Sequence, residues 1–140
     1  MPETDQQAVK LILIEINNME KIMFGKSRSD LEADITLERA VSMTLGLIGE
    51  KATKINPKFK AAHPEIEWRK IIALRNRIVH SYEDLDFDII YDTVERKLPE
   101  LKEQLEKLPG IEKQMLISGV KPKHDLLPKK PNRQGKGRRL

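Results

Sequence analysis

DQQAVKLILIEINNMEKIMF, residues 5–24, decides the fold class. Val9, Ile12, Ile16, Met19 and Met23 recur at helical spacing, and Leu11, Leu13, Ile14 and Ile22 widen the apolar stripe. A strand would alternate every second residue, and this segment does not. A helix apolar on most of its faces must be covered by more than one neighbour. The stretch therefore predicts a long helix packed among others.

Working outward, the same period continues. Gly25 ends the first helix, and Ser29 with Glu32 has the spacing of a capping box for a short turn of helix. A second long helix is expected from Ile35 to Ile55, with Leu37, Val41, Thr44, Leu45, Ile48, Ala52 and Ile55 on its stripe. Gly46 and Gly49 lie inside it and each costs the helix about 1 kcal/mol relative to alanine. Close approach of a neighbouring helix is the reading that justifies them. Asn56-Pro57 breaks the pattern. Pro64 suits the start of a third long helix, with Glu65 and Glu67 in its first turn and Trp68, Ile71, Ile72, Leu74, Ile78 and Val79 on its buried side.

The acidic run EDLDFD follows, and Asp86 or Asp88 can cap a fourth helix over about 87–107. Pro99 is expected to bend or split that helix, and Pro109-Gly110 to stop it. One more short helix fits 111–118. The pattern is an all-α, up-and-down bundle of four to five helices. Residues 1–118 form the expected helical domain, and 119–140 a basic, disordered tail rich in proline, glycine and lysine.

Composition narrows the chemistry. The chain has 140 residues, enough for one domain with one core. Aromatics are only 4%, so the core must be aliphatic, which favours helices over a sheet. Cysteine is absent, which excludes disulfides, thiolate metal sites and a cysteine nucleophile. The first residues lack the pattern of a signal peptide, and no apolar run approaches the roughly 18 residues of a membrane span. A soluble cytoplasmic protein is expected. The net charge of +4 must be divided. Residues 121–140 hold eight Lys or Arg and one acid, which leaves 18 basic and 21 acidic residues in the first 120. The basic character belongs to the tail, so it is not evidence that the body binds nucleic acid.

RNRIVHSYED, residues 75–84, is the stretch where chemistry concentrates. At about 100° per residue, Asn76 and His80 lie about 40° apart on one helical face, and Arg77 and His80 about 60° apart. Arg75 and His80 are separated by about 140° and do not converge on an undistorted helix. They can meet if Arg75 wraps around, if the helix loosens near His80, or if another chain contributes. Tyr82 reaches the same place only if the helix ends at His80. Such a group suits phosphodiester cleavage. Histidine moves protons near neutral pH, and arginine holds a phosphate through two parallel hydrogen bonds. In RNA the 2′-hydroxyl is a built-in nucleophile, and no metal is required. An ordinary helix end accounts for the same residues, since histidine and arginine commonly cap carbonyls there.

The stretches IGEKATKI, FKAAHPEIEWRKI, ALRNRIVHSY and LDFDIIYDTVERKLPEL, between Ile48 and Leu108, resemble the HepT family of the HEPN superfamily. The resemblance covers about 60 contiguous residues and leaves out the tail. It implies an all-helical, HEPN-like homodimer whose Arg-x4-His motifs line a shared cleft. It further implies the toxin of a prokaryotic toxin–antitoxin pair, a metal-independent endoribonuclease acting on transfer or messenger RNA. On this sequence Arg75 and His80 are then catalytic, with Asn76 and Arg77 supporting. The implied antitoxin is a small MntA-like nucleotidyltransferase that transfers AMP to the tyrosine of Arg-x4-His-x-Tyr, here Tyr82. An anionic adduct there would repel the RNA phosphate. The alternative is a non-catalytic helical adaptor that binds a nucleotidyltransferase or a nucleotide.

Other polar residues invite blander readings. Glu83, Asp84, Asp86 and Asp88 read as solvated loop acids and a helix cap, not as a metal site. His63 and His124 have no ligand-spaced partner. Trp68 reads as a core or interface residue, and Glu50, on the glycine-bearing helix, receives no catalytic assignment. No cofactor is called for. The tail can add RNA affinity through phosphate contacts or act as a solubilising extension.

Overall fold

The computed structural model describes residues 3–111, and every regular element within them is helical. The basic tail and, apart from Ile111, the short helix expected over 111–118 lie outside these residues. Helix α1 is Glu3–Met23, α2 Arg28–Ala33, α3 Ile35–Thr53, α4 Pro57–Ala62 and α5 Trp68–His80. A 3-10 turn, Tyr82–Asp84, leads to α6, Phe87–Asp92. A π-helical segment, Thr93–Lys97, then joins α6 to α7, Leu98–Glu106.

Helix α1 behaves as its sequence requires. Val9, Ile12, Leu13, Ile16, Met19 and Met23 are all buried, and only Ile14 of the widened stripe turns half outward. Each large side chain so covered is worth about 1.5–3 kcal/mol before entropy is charged against it. The cover comes from two sides, α3 on one and α7 on the other. Helix α3 packs against α1 with one face and α5 with the other, so the long helices stack in the order α5, α3, α1, α7.

That order makes α5 an edge helix. Trp68 is its only buried residue, while Ile71, Ile72, Leu74 and Ile78 are half-covered against the core. Trp68 belongs to the core: its indole Nε1–H donates to the carbonyl of His63 at 3.2 Å, and its ring meets Phe59 edge-on. His63 packs against Phe59 at a tilt, with ring centroids 4.5 Å apart.

Several boundaries differ from the sequence expectation, each for a local reason. The capping box is Ser27 with Asp30, not Ser29 with Glu32. Gly25 takes a left-handed φ of 74° and turns the chain so sharply that the earlier of two equally spaced pairs caps the helix, which buries Leu31. Helix α4 was not expected; Asn56 caps it through Lys58 N–H at 2.7 Å and Pro57 fills its first position. The helix expected from Pro64 starts only at Trp68. The helix expected over about 87–107 is divided into α6 and α7 by the π segment that ends just before Pro99. Leu98 N–H bonds to Thr93 carbonyl, five residues back, and this π turn precedes the proline, which has no N–H to return. Asp86 caps α6 as expected, accepting from Asp88 N–H at 2.8 Å.

Candidate active site

The site is built where α5 lies along α3. Their residue pairs run antiparallel: Gly49 faces Arg75, Gly46 faces Ile78, and Glu38 faces Tyr82. Glu38, Ser42, Gly46 and Glu50 follow one another at intervals of four, which places them on a single face of α3. Gly49 is where the helices come closest. A Cβ added there would stand 2.2 Å from Arg75 Cβ and 3.1 Å from the Ile71 carbonyl oxygen, so no side chain fits. At Gly46 the nearest atom is Ile78 Cγ2 at 3.8 Å, an ordinary contact. Close approach thus explains Gly49 and not Gly46.

Arg75 is held by this packing. Its Nη2 donates to Glu50 Oε1 at 2.7 Å, and its Nη1 to Asn76 Oδ1 at 2.9 Å. The guanidinium is half-buried and already oriented on the α3 side of α5. Asn76 and Arg77 are exposed, and the Arg77 carbonyl accepts the Ser81 N–H that closes the helix at 2.8 Å.

Helix α5 stays regular through His80, its last residue. The break comes at Ser81, and the following 3-10 turn carries Tyr82 back along α3. There the phenol donates to Glu38 Oε2, and the Arg39 guanidinium sits 5.0 Å from the ring centroid. Burial raises the Tyr82 pKa; Glu38 adds to the rise, while Ser42 and Arg39 oppose it. The phenol is therefore protonated across the neutral range.

Arg75, Glu50 and Tyr82 line one groove of about 630 Å³, together with Gly46, Met43, Ile78 and Val79. His80 is exposed at the helix end and is not in its lining. Of the three ways Arg75 and His80 could meet, two are closed within one chain. The helix does not loosen before His80, and Arg75 is held by Glu50 on the far side. The helix ends at His80, the condition set for Tyr82, but Tyr82 joins the groove of Arg75 and not His80.

Glu38 is a residue that sequence reasoning missed; Glu50 was weighed on the glycine-bearing helix without a catalytic assignment, and here it lines the groove. The signal for Glu38 was the interval of four through Ser42 and Gly46 to Glu50, but it becomes legible only once α3 is known to face α5. Among the described residues no group of three or more His, Asp or Glu could hold a metal ion. Glu83 and Asp84 are exposed on the turn, and Asp88 pairs with Arg28. No helix of the described residues is long and apolar enough to cross a membrane.

The family description "Ribonuclease HepT-like" matches residues 12–108. The chain is 28% identical over 111 residues to "Putative RNase TTE0752" of Caldanaerobacter subterraneus, covering 79% of this chain and 99% of that protein. It is 37% identical over 79 residues to "Probable ribonuclease HepT" of Thermococcus cleftensis, covering 56% of this chain and 72% of the relative. A third similar protein, "Putative RNase MJ0127" of Methanocaldococcus jannaschii, is 29% identical over 116 residues, or 80% of this chain and 94% of its own. No solved structure matches the chain. The family match spans well over half of the 140 residues and includes the whole of α5 and its facing helix: the chain belongs to the HepT-like ribonuclease family.

Proposed function

We propose that this protein is a metal-independent endoribonuclease, the cytoplasmic toxin of a toxin–antitoxin pair, working as a homodimer. Arg75 of one copy and His80 of the other act on one phosphodiester. His80 takes the 2′-hydroxyl proton, the 2′-oxygen attacks phosphorus, and Arg75 stabilises the charge on the phosphorane. The bond to the 5′-oxygen breaks, and that oxygen takes a proton from the imidazolium or water. The products are a 2′,3′-cyclic phosphate and a 5′-hydroxyl. Asn76 and Arg77 support the pair, Asn76 by fixing the guanidinium plane.

The observation that carries the proposal is the separation within one chain: Arg75 is anchored in the groove, and His80 stands exposed outside it. A second copy supplies what one chain lacks. Its docking is favoured by uncovered apolar side chains of the groove itself, where Met43 is 64% exposed and Val79 54%. Patches of this kind on a small domain mark interaction surfaces. The control element is AMP transfer to Tyr82 by a MntA-like nucleotidyltransferase. An added phosphate in the groove that holds Arg75 would occupy the place of the RNA phosphate.

RNA cleavage by the purified chain in the presence of EDTA tests the proposal. The wild type should release 2′,3′-cyclic phosphate ends, and Arg75→Ala and His80→Ala should not; full activity in both variants would sink it. One observation favours a second reading. In a single chain the charge of Arg75 is matched by Glu50, which suits a non-catalytic adaptor for the nucleotidyltransferase. That reading predicts a stable complex with the partner and no cleavage by either protein.

A further inference from the structure

Tyr82 does not present a free hydroxyl. Its Oη–H donates to Glu38 Oε2, while the other carboxylate oxygen of Glu38 lies 3.7 Å from Arg39 Nε. Arg39 also stands over the phenol ring. Glu38 and Arg39 thus form one arrangement with the phenol, and Glu50 and Arg75 lie in the same groove. On the turn itself Glu83 and Asp84 point to solvent.

This geometry suits a nucleophile. A phenol is a weak attacking group until its proton leaves, and its ordinary pKa is near 10. While the proton is directed at Glu38, the Ser42 hydroxyl of α3 lies near enough to Oη to favour its anionic form. The Arg39 guanidinium over the ring adds a positive charge beside the phenol.

We propose that Glu38 is the catalytic base for nucleotidyl transfer onto Tyr82, taking the phenol proton as Oη attacks the α-phosphorus of a nucleoside triphosphate. The inference rests on Tyr82 being the modified residue. The bond from Oη to phosphorus forms, and the bond from phosphorus to the bridging oxygen breaks. Pyrophosphate leaves with that electron pair, and the proton passes from Glu38 to water. The nucleotidyltransferase partner holds the triphosphate; the base belongs to the target.

The experiment is intact-mass kinetics on the full chain with the partner, ATP and magnesium, from pH 6.5 to 9. The wild type should gain whole AMP units, absent in Tyr82→Phe, at a rate nearly level above pH 7. Glu38→Gln keeps the shape but cannot take the proton. Its rate should fall at least about tenfold at pH 7 and then climb about tenfold per pH unit as phenolate forms unaided. Equal rates and equal pH profiles in wild type and Glu38→Gln would overturn the role of Glu38 while leaving Tyr82 the modified residue. No adduct on the wild type would overturn the modification itself and the inference with it. Should Glu38→Gln not fold, the wild-type profile still decides, because a tenfold rise per pH unit there would mean no carboxylate base is at work.

Discussion

Replacing Gly49 with alanine is the sharpest test of how the site is held. The added methyl would meet Arg75 Cβ at 2.2 Å, Arg75 Cγ at 2.9 Å and the Ile71 carbonyl oxygen at 3.1 Å. Two of these lie on or next to backbone and cannot swing away. Helices α3 and α5 must separate by on the order of 1 Å, and overpacking of that kind costs about 1–3 kcal/mol. The backbone obstruction puts Gly49 at the upper end of that range. Helix propensity returns about 1 kcal/mol. The net loss should be about 1–2 kcal/mol, which for a domain of this size lowers Tm by about 4–8 °C per kcal/mol. Gly46 is the built-in control, since a methyl there meets only Ile78 Cγ2 at 3.8 Å. Gly46→Ala should raise stability by about 0.5–1 kcal/mol. Thermal melts of both variants decide, together with RNA cleavage by Gly49→Ala, which should fall as Arg75 is displaced from Glu50. Two alanine variants equally stable, or Gly49→Ala more stable than the wild type, would refute the packing argument.

Glu50→Gln should cost under about 1 kcal/mol, because the pair it breaks is partly exposed. RNA cleavage should nonetheless fall roughly tenfold as Arg75 loses its orientation; unchanged turnover would mean the ion pair is incidental. Asp5 is buried and accepts the Asn56 N–H at 3.0 Å where α3 gives way to α4. Asp5→Ala leaves that donor without its acceptor and should cost about 1–3 kcal/mol in urea unfolding. The Tyr82 phenol has a raised pKa, chiefly from burial. Its contribution to stability is therefore intact below the free-tyrosine value near 10 and is lost as pH rises through the folded value. The stability difference between wild type and Tyr82→Phe should shrink over that alkaline range, and a difference that grows with pH would contradict the assignment. Tyr91 shifts in the same direction and is present in both proteins, so it cancels in the comparison.

The helices were legible because the apolar period is long and unbroken: α1 and α3 fall within two residues of expectation at each end. What the sequence concealed was set by competition between equivalent local signals, or by contacts distant in the chain. Ser27 and Ser29 offer caps of equal spacing, and only the turn at Gly25 selects the first. Pro99 carries a strong breaking signal; what the sequence did not tell is that the division takes the form of a π turn just upstream. In the site, the angular arithmetic correctly kept Arg75 and His80 apart on one helix. The same arithmetic could not find Glu38, or give Glu50 its partner, because their meaning depends on contacts 44 and 25 residues away in the chain.

The central claim, that Arg75 and His80 of different copies share one phosphodiester, is tested most directly by complementation. Arg75→Ala and His80→Ala chains are produced separately and together, and RNA cleavage is measured in EDTA. In a mixed dimer one of the two sites keeps both an intact Arg75 and an intact His80. Half of a random mixture is mixed dimer, so about a quarter of wild-type activity should return from two inactive parents. No recovery in mixtures shown to contain mixed dimer would contradict it, as would cleavage at the wild-type rate by either parent alone.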